Sequence, residues 1–281
     1  MVILNSKNLV SRIHAKTAAE VAMLAVRGIE PQLAVVLVGD DPASQTYVGI
    51  KERRAKDVGI TYSNYYLPHG TSGEKLRETL VFLDSDSEVN GLILQLPLGK
   101  PLDTGSALAC ISSRKDVDGL NNGWAADVTP HSPDEAEGFA SQPVLYPPMV
   151  QGVVSLLAEY GLEYRNKKIV VVGNGRLVGQ PLATYLAGQG CDITVATEET
   201  PQITAITQQA DVLICGTGQP NLITYQWVKP EAVVIDCARD VHMDSVSQVA
   251  SAIAPSVGGI GPLTVAWLLN NTVRATLEAH G

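Results

Sequence analysis

The run Lys167–Val172, KKIVVV, passes without interruption into Gly173–Gly179, GNGRLVG, and a helical pattern continues from there to about Gly188. A buried strand that turns through glycines into a helix has few alternatives to βα geometry, and Asp192–Ala196 supplies the next strand of the unit. Asp211–Cys215 and Ala232–Asp236 are two further short apolar runs. The first half of the chain alternates in the same way. Ser6–Arg27 is helical in period, with Val10, Ile13, Val21 and Leu24 on one side and Thr17 filling the gap. Strand Leu33–Val38, a helix ending near Gly59, strand Ile60–Leu67, helix Ser72–Leu83 and strand Gly91–Leu94 follow. Strands separated by helices pair in parallel, so the fold class is α/β.

Between about Ser112 and Pro143 the periodicity lapses into KDVDGLNNGW and the polar tract HSPDEAEGFASQP, which reads as a long loop at a domain boundary. A chain of 281 residues has room for two domains. The expected division is 1–143, a parallel-sheet catalytic domain, and 144–261, a Rossmann-like doubly wound nucleotide-binding domain. From about Pro148 to Tyr160 a helix resumes order, and the tail from Gly258 to His280 is helical with Val265, Leu268, Leu269 and Val273 as its apolar stripe.

Charge and cysteine usage narrow the function classes. With 20 basic and 29 acidic residues the net charge is −9, a poor match for nucleic acid or an anionic membrane. The start MVILNSKNLVSRIHAK has only a three-residue apolar stretch, and no run approaches ~18 apolar residues. A cytoplasmic protein is expected. Cys110, Cys191, Cys215 and Cys237 lack metal-binding spacing and read as buried free thiols, with no metal site.

Several residues carry chemistry. Asp40 or Asp41 caps the helix after the first strand, Pro42 suits its first turn and Gly59 its end. On that helix Tyr47 and Lys51 are four residues apart and share a face. A lysine whose pKa burial lowers can shuttle protons, and a phenol ring offers a stacking surface. Gln95, at a strand end, is placed to orient Lys51. Asp116 and Asp118 in KDVDG can each accept two parallel hydrogen bonds from an amidine-like edge; the alternative is a turn held by Asx-type bonds. The glycines of GNGRLVG let backbone N–H groups approach a pyrophosphate, or form a ligand-free turn. Glu198, 25 residues beyond Gly173, suits a ribose diol and repels a 2′-phosphate, or is a solvated surface acid.

Five ordered stretches, VGDDPASQTYVGIK (Val38–Lys51), GLILQLPL (Gly91–Leu98), KDVDG (Lys115–Gly119), VVVGNGRLVGQP (Val170–Pro181) and GGIGPLTVA (Gly258–Ala266), resemble the bifunctional methylenetetrahydrofolate dehydrogenase/methenyltetrahydrofolate cyclohydrolase family over nearly the whole chain. The resemblance implies oxidation of 5,10-methylenetetrahydrofolate with a nicotinamide cofactor, NADP by family habit, and hydrolysis of the methenyl cation to 10-formyltetrahydrofolate. It implies that Tyr47 stacks on the aminobenzoate ring, Lys51 assists proton transfer, Gln95 positions Lys51 and Asp118 holds the pterin edge. Leu96, Pro97, Gly261, Pro262 and Thr264 would line the folate site. Gly173, Asn174, Gly175, Arg176, Val178, Gly179, Glu198 and Gly216 would hold the cofactor. The resemblance also implies that the last helix, 262–281, packs on the first domain, and that a homodimer forms through the nucleotide domain.

The chain departs from the family pattern on the cofactor side. Asn174-Gly175 stands where Arg-Ser is usual, Glu198 where a small or basic residue is, Met149-Val150 where Thr-Pro opens the connecting helix, and Val257 where a proline precedes the paired glycines. The segment from Asp236 to Pro255 is short and lacks a Gly-Asp-Val. These departures leave open tolerance of or preference for NAD, with Arg176 as a possible 2′-phosphate contact. Also open are a cyclohydrolase without the redox step and a non-catalytic folate or nucleotide binder. A shikimate dehydrogenase type is disfavoured by KDVDG and QLPL.

Overall fold

The computed structural model describes residues 1–121, 123–128 and 144–280. The polar tract of the expected boundary loop therefore lies outside the described residues. The chain forms two compact units, one built on Met1–Val10 and Met149–Thr264, the other on Ser11–Trp124 and the tail from Val265.

The second of these units contains helix α1 (Lys7–Val26, from Ser11), strand β2 (Gln32–Val38), α2 (Pro42–Val58), β3 (Thr61–Leu67), α3 (Gly73–Ser85), β4 (Gly91–Leu94) and the short α4 (Thr104–Leu108). Its sheet is all parallel in the order β3-β2-β4. Both faces of β2 are buried, as expected for a parallel strand covered by helices. Leu33, Val35 and Leu37 share a core with Ile93, with Val48, Ala55 and Val58 of α2, and with Val265, Leu268, Leu269 and Val273 of the tail. Ala34 and Val36 face the other way, onto Leu76, Leu80 and Leu83 of α3. The alternation of partners follows the period of two in a strand. Helix α2 begins and ends as its sequence requires. Asp41 accepts the N–H of Ser44 at 2.7 Å, and Gly59 closes the helix at φ 84°.

The other unit has β1 (Val2–Ile3), α5 (Pro148–Glu159), β5 (Lys168–Val172), α6 (Gly179–Gly188), β6 (Asp192–Ala196), α7 (Ile203–Thr207), β7 (Val212–Cys215), β8 (Val233–Asp236), α8 (Met243–Val246) and β9 (Ala252–Ala254). Helix α9 spans Gly261–His280, its first turn in this unit and the rest in the other. The sheet is parallel, ordered β1-β9-β8-β7-β5-β6. From β5 the chain moves to β6 on one side and then to β7 on the other. That reversal opens a crevice at the carboxyl ends of β5 and β7, the usual ligand position in a doubly wound sheet.

Three expectations need correction. The domain boundary of 1–143 places the first residues with the catalytic half, yet Val2 and Ile3 pair with Ala252 and Ile253 of β9, so Met1–Val10 groups with the other sheet. A two-residue strand leaves no periodic signal. The described part of the loop from Ser112 carries regular structure: Asp116 bridges to Leu92, and a 3₁₀ turn spans Gly123–Asp127. Of the four free thiols only Cys215 is fully buried; Cys110, Cys191 and Cys237 are half-buried.

Candidate active site

Lys51 sits on the inward stripe of α2 with Ser44, Val48, Ala55 and Val58, and is only 8% exposed. Tyr47, one turn earlier, lies at the rim of that stripe and is 45% exposed. Helical spacing thus brings the two together but gives them different surroundings, a desolvated amine and an open ring. The Lys51 Nζ donates to Gln95 Oε1 at 3.1 Å. Gln95 follows β4 directly, its backbone N–H held by the Val36 carbonyl at 2.9 Å and its Nε2 by the Leu96 carbonyl at 2.8 Å. The Leu96–Pro97 and Lys100–Pro101 peptides that follow are cis. Burial lowers the Lys51 pKa, and the charge of Asp118 opposes that fall. An amine so placed gives up its proton more readily than a surface lysine.

Asp118 and Asp116, equivalent in sequence, separate in space. Asp118 is half-buried, whereas Asp116 is 2% exposed and turns into its own loop, where Oδ2 accepts the Asn121 N–H at 2.8 Å. Asp116 is therefore no ligand-gripping partner of Asp118. The Asx-type turn, held open as an alternative, describes it. Sequence spacing gave no sign of other residues supporting this loop. Trp124 Nε1 donates to the Gly119 carbonyl at 2.8 Å, and Asn271 Nδ2 bonds the carbonyls of Val117 and Tyr146, each at 2.9 Å. A buried Asn on a helix carries no motif.

In the other unit the loop after β5 lies in the crevice described above. Gly173 has φ 101°, and an added Cβ would stand 2.7 Å from the Gly216 carbonyl oxygen. At Gly179 a Cβ would collide with the carbonyl of Gly173. Both glycines are thus required by close backbone approach. Asn174 and Gly175 are exposed, Arg176 is half-buried, and Val178 packs over Gly216. The helix itself opens only at Gly179, with no side-chain cap on its N–H groups. Within that first turn the Gln180 N–H bonds the Gly175 carbonyl at 3.0 Å, the Leu182 N–H bonds the Val178 carbonyl at 3.2 Å and Pro181 has none, so it is the exposed backbone of Asn174 and Gly175 in the glycine turn that suits a pyrophosphate and fits a dinucleotide. Glu198 is exposed just beyond the end of β6, where an adenosine ribose would be met. Gly261, Pro262 and Thr264 form the first turn of α9, with Thr264 Oγ1 donating to the Gly261 carbonyl at 2.7 Å. Among the described residues no cluster of three or more His, Cys, Asp or Glu is placed to hold a metal, and no helix is long and apolar enough to cross a membrane.

Residues 4–118 match the model of the tetrahydrofolate dehydrogenase/cyclohydrolase catalytic domain, and residues 147–280 match that of the tetrahydrofolate dehydrogenase/cyclohydrolase NAD(P)-binding domain. The chain belongs to the tetrahydrofolate dehydrogenase/cyclohydrolase family. It is 39% identical to the bifunctional protein FolD of Geotalea uraniireducens (strain Rf4), across 97% of this chain and 98% of that protein. Among solved structures it is similar to the bifunctional FolD enzyme of Campylobacter jejuni, with a TM-score of 0.88, 33% identity and 99% of both chains covered. It is also similar to the Trypanosoma brucei methylenetetrahydrofolate dehydrogenase-cyclohydrolase complexed with NADP and an inhibitor, with a TM-score of 0.86, 28% identity, and 100% and 98% of the two chains covered.

Proposed function

We infer that this chain oxidises 5,10-methylenetetrahydrofolate to the methenyl cation with a nicotinamide cofactor and hydrolyses that cation to 10-formyltetrahydrofolate. The observation that carries the reading is the buried Lys51 amine, hydrogen-bonded to Gln95 at a strand end and under the charge of Asp118, in a chain of this family. The bound nicotinamide supplies the hydride acceptor. All else is done by the chain's own side chains.

Water adding to the methenyl carbon must lose a proton, and the ring nitrogen that leaves that carbon must gain one. A lysine of lowered pKa serves both transfers, first as base and then as acid. Gln95 accepts from Nζ and so fixes the direction of the amine. Asp118 offers a carboxylate to the paired N–H groups of the pterin edge, and the half-exposed Tyr47 ring a surface for the aminobenzoate. Leu96, Pro97, Gly261, Pro262 and Thr264 complete the folate contacts in this reading.

The cofactor contacts are assigned to Gly173, Asn174, Gly175, Arg176, Val178, Gly179 and Gly216, with Glu198 on the ribose. An exposed carboxylate at that place repels a 2′-phosphate, and Gly175 contributes no side chain to bind one. This supports a dehydrogenase step that tolerates or prefers NAD. Initial rates of methylenetetrahydrofolate oxidation with NAD and with NADP, followed separately from methenyl decay, test both halves: NADP preference of tenfold or more removes the NAD assignment, and absence of either reaction removes that step. The reading further places the enzyme in the cytoplasm as a homodimer acting on small folates, without nucleic acid or membrane partners.

A further inference from the structure

Asp116 has no place in the chemistry above, yet its environment is unusual. Its carboxylate is buried, with Oδ1 lacking any hydrogen-bond partner and Oδ2 accepting the Asn121 N–H at 2.8 Å. The backbone N–H groups of Gly119 and Leu120 also act on it. One amide, that of Asn121, is thus bonded to the carboxylate, while the Gly119 N–H donates to the main-chain carbonyl of Asp116 at 3.2 Å, so side chain and backbone of Asp116 together close the turn. The turn they form, 116–121, is tied down on other sides too. Leu92 of β4 donates to the Lys115 carbonyl at 2.8 Å, Trp124 Nε1 bonds the Gly119 carbonyl, and Asn121 Nδ2 bonds the Ile111 carbonyl at 2.9 Å. Gly119 has φ 67°, and an added Cβ would meet Pro147 at 2.9 Å. Asp118 stands in the middle of this turn.

A neutral side chain could accept one amide at less desolvation cost than a buried carboxylate. What the charge adds is a stronger, shorter bond to the Asn121 N–H across the turn, hence a stiffer turn. We propose that Asp116 is a positioning residue of the active site, its buried carboxylate holding the Asn121 N–H across the turn so that the turn holds Asp118 against the substrate. It does not touch substrate itself. The proposal rests on the reading of Asp118 as the acid that grips the folate.

Burial pushes the Asp116 carboxyl up to about 6; the Asn121 N–H works against this and the Asp118 charge adds to it. Asp118 is the charged group that acts on it. Lys115, its chain neighbour, turns its ammonium away to the Asp86 carbonyl at 2.6 Å. As pH falls through about 6, Asp116 takes up a proton, the Asn121 N–H loses its charged acceptor and the grip of Asp118 slackens. The folate KM then rises in acid.

The test is Asp116→Asn in the full chain, with KM and kcat for folate measured in both reactions from about pH 5 to 8. Asparagine keeps the acceptor and shape and removes the charge. The expected result at neutral pH is a folate KM raised about tenfold with a smaller change in kcat, and loss of the acid rise seen in the unmodified chain. The Asp116/Asp118 double asparagine variant is expected to be no worse than Asp118→Asn alone. An unchanged KM, an acid limb that persists in the variant, or losses that multiply in the double variant overturns the proposal. If Asp118→Asn leaves KM unaltered, the reading of Asp118 fails and this proposal with it; if only Asp116→Asn is silent, this proposal alone falls. Should Asp116→Asn not fold, the unmodified chain decides, because a folate KM flat across that pH range overturns the proposal.

Discussion

Lys51 Nζ donates to Gln95 Oε1 at 3.1 Å, which joins the second helix of the catalytic unit to the residue just after its third strand. The bond fixes an amine that is almost wholly removed from water. Replacing that amine by an apolar chain of similar length separates its chemistry from its energetics. Lys51→Met is expected to lower methenyl hydrolysis by about 100-fold or more while folate still binds.

The same variant is expected to be more stable than its parent at neutral pH. Above the ordinary lysine value of 10.5 the amine is neutral in folded and unfolded chains alike. As pH falls, the unfolded chain takes the proton first, because burial lowers the folded pKa, and stability declines. Methionine has no such penalty. Its gain, about 1 kcal/mol or more near neutrality, is expected to vanish above pH 10.5, and thermal melts across pH measure it.

Asp118 acts on Lys51 in the opposite sense, holding its pKa up. Asp118→Asn therefore lowers the Lys51 pKa further. In hydrolysis, the limb of kcat that climbs as the amine loses its proton is expected to move to lower pH. A pH profile of kcat at saturating substrate checks this; a limb displaced to higher pH, or fixed in place, would contradict the assignment of that limb to Lys51.

Much of this was legible in the sequence, for identifiable reasons. Val35 and Ile93 lie in uninterrupted apolar runs because parallel strands are covered on both faces, and such runs are hard to mistake. Asp41 and Gly59 announce the ends of their helix through side-chain capping and a left-handed φ, both local effects. Strands β1 and β9, two and three residues long, are made by pairing with distant partners and leave no local pattern. Asp116 and Asp118 look alike in KDVDG. Only the packing of the turn against β4 and Trp124 turns one inward and leaves the other half open.

Asn271 tests that packing. Its Nδ2 satisfies two buried carbonyls, those of Val117 and Tyr146, from the tail helix. Asn271→Ala strands both without water and is expected to lower stability by about 2–4 kcal/mol in chemical denaturation. Since Val117 lies between Asp116 and Asp118, folate KM should rise as well. Asn271→Leu, which keeps bulk without donors, is expected to be at least as damaging.

The glycine loop permits a test that divides the two reactions. Gly179→Ala drives a methyl group into the Gly173 carbonyl and distorts the turn at the crevice. Oxidation of methylenetetrahydrofolate is expected to fall by at least tenfold, with cofactor KM rising. Hydrolysis, assigned in the proposed reading to Lys51, Gln95 and Asp118, is expected to change little. Assaying both reactions on one preparation makes the comparison independent of how much protein folds.

Glu198 offers the sharpest handle on cofactor choice. It stands exposed beyond the end of β6, and in the proposed reading its carboxylate would repel an added phosphate while accepting ribose hydroxyls. Glu198→Ala removes both effects. The ratio of kcat/KM for NADP to that for NAD is expected to rise about tenfold, chiefly through KM for both cofactors. Glu198→Gln keeps a hydrogen-bond acceptor and removes only the charge, so it should recover NAD use while still admitting NADP. Arg176 then determines how far NADP gains: in a Glu198→Ala background, Arg176→Ala is expected to cancel most of the NADP improvement, because no other basic side chain of the loop is left to meet the 2′-phosphate.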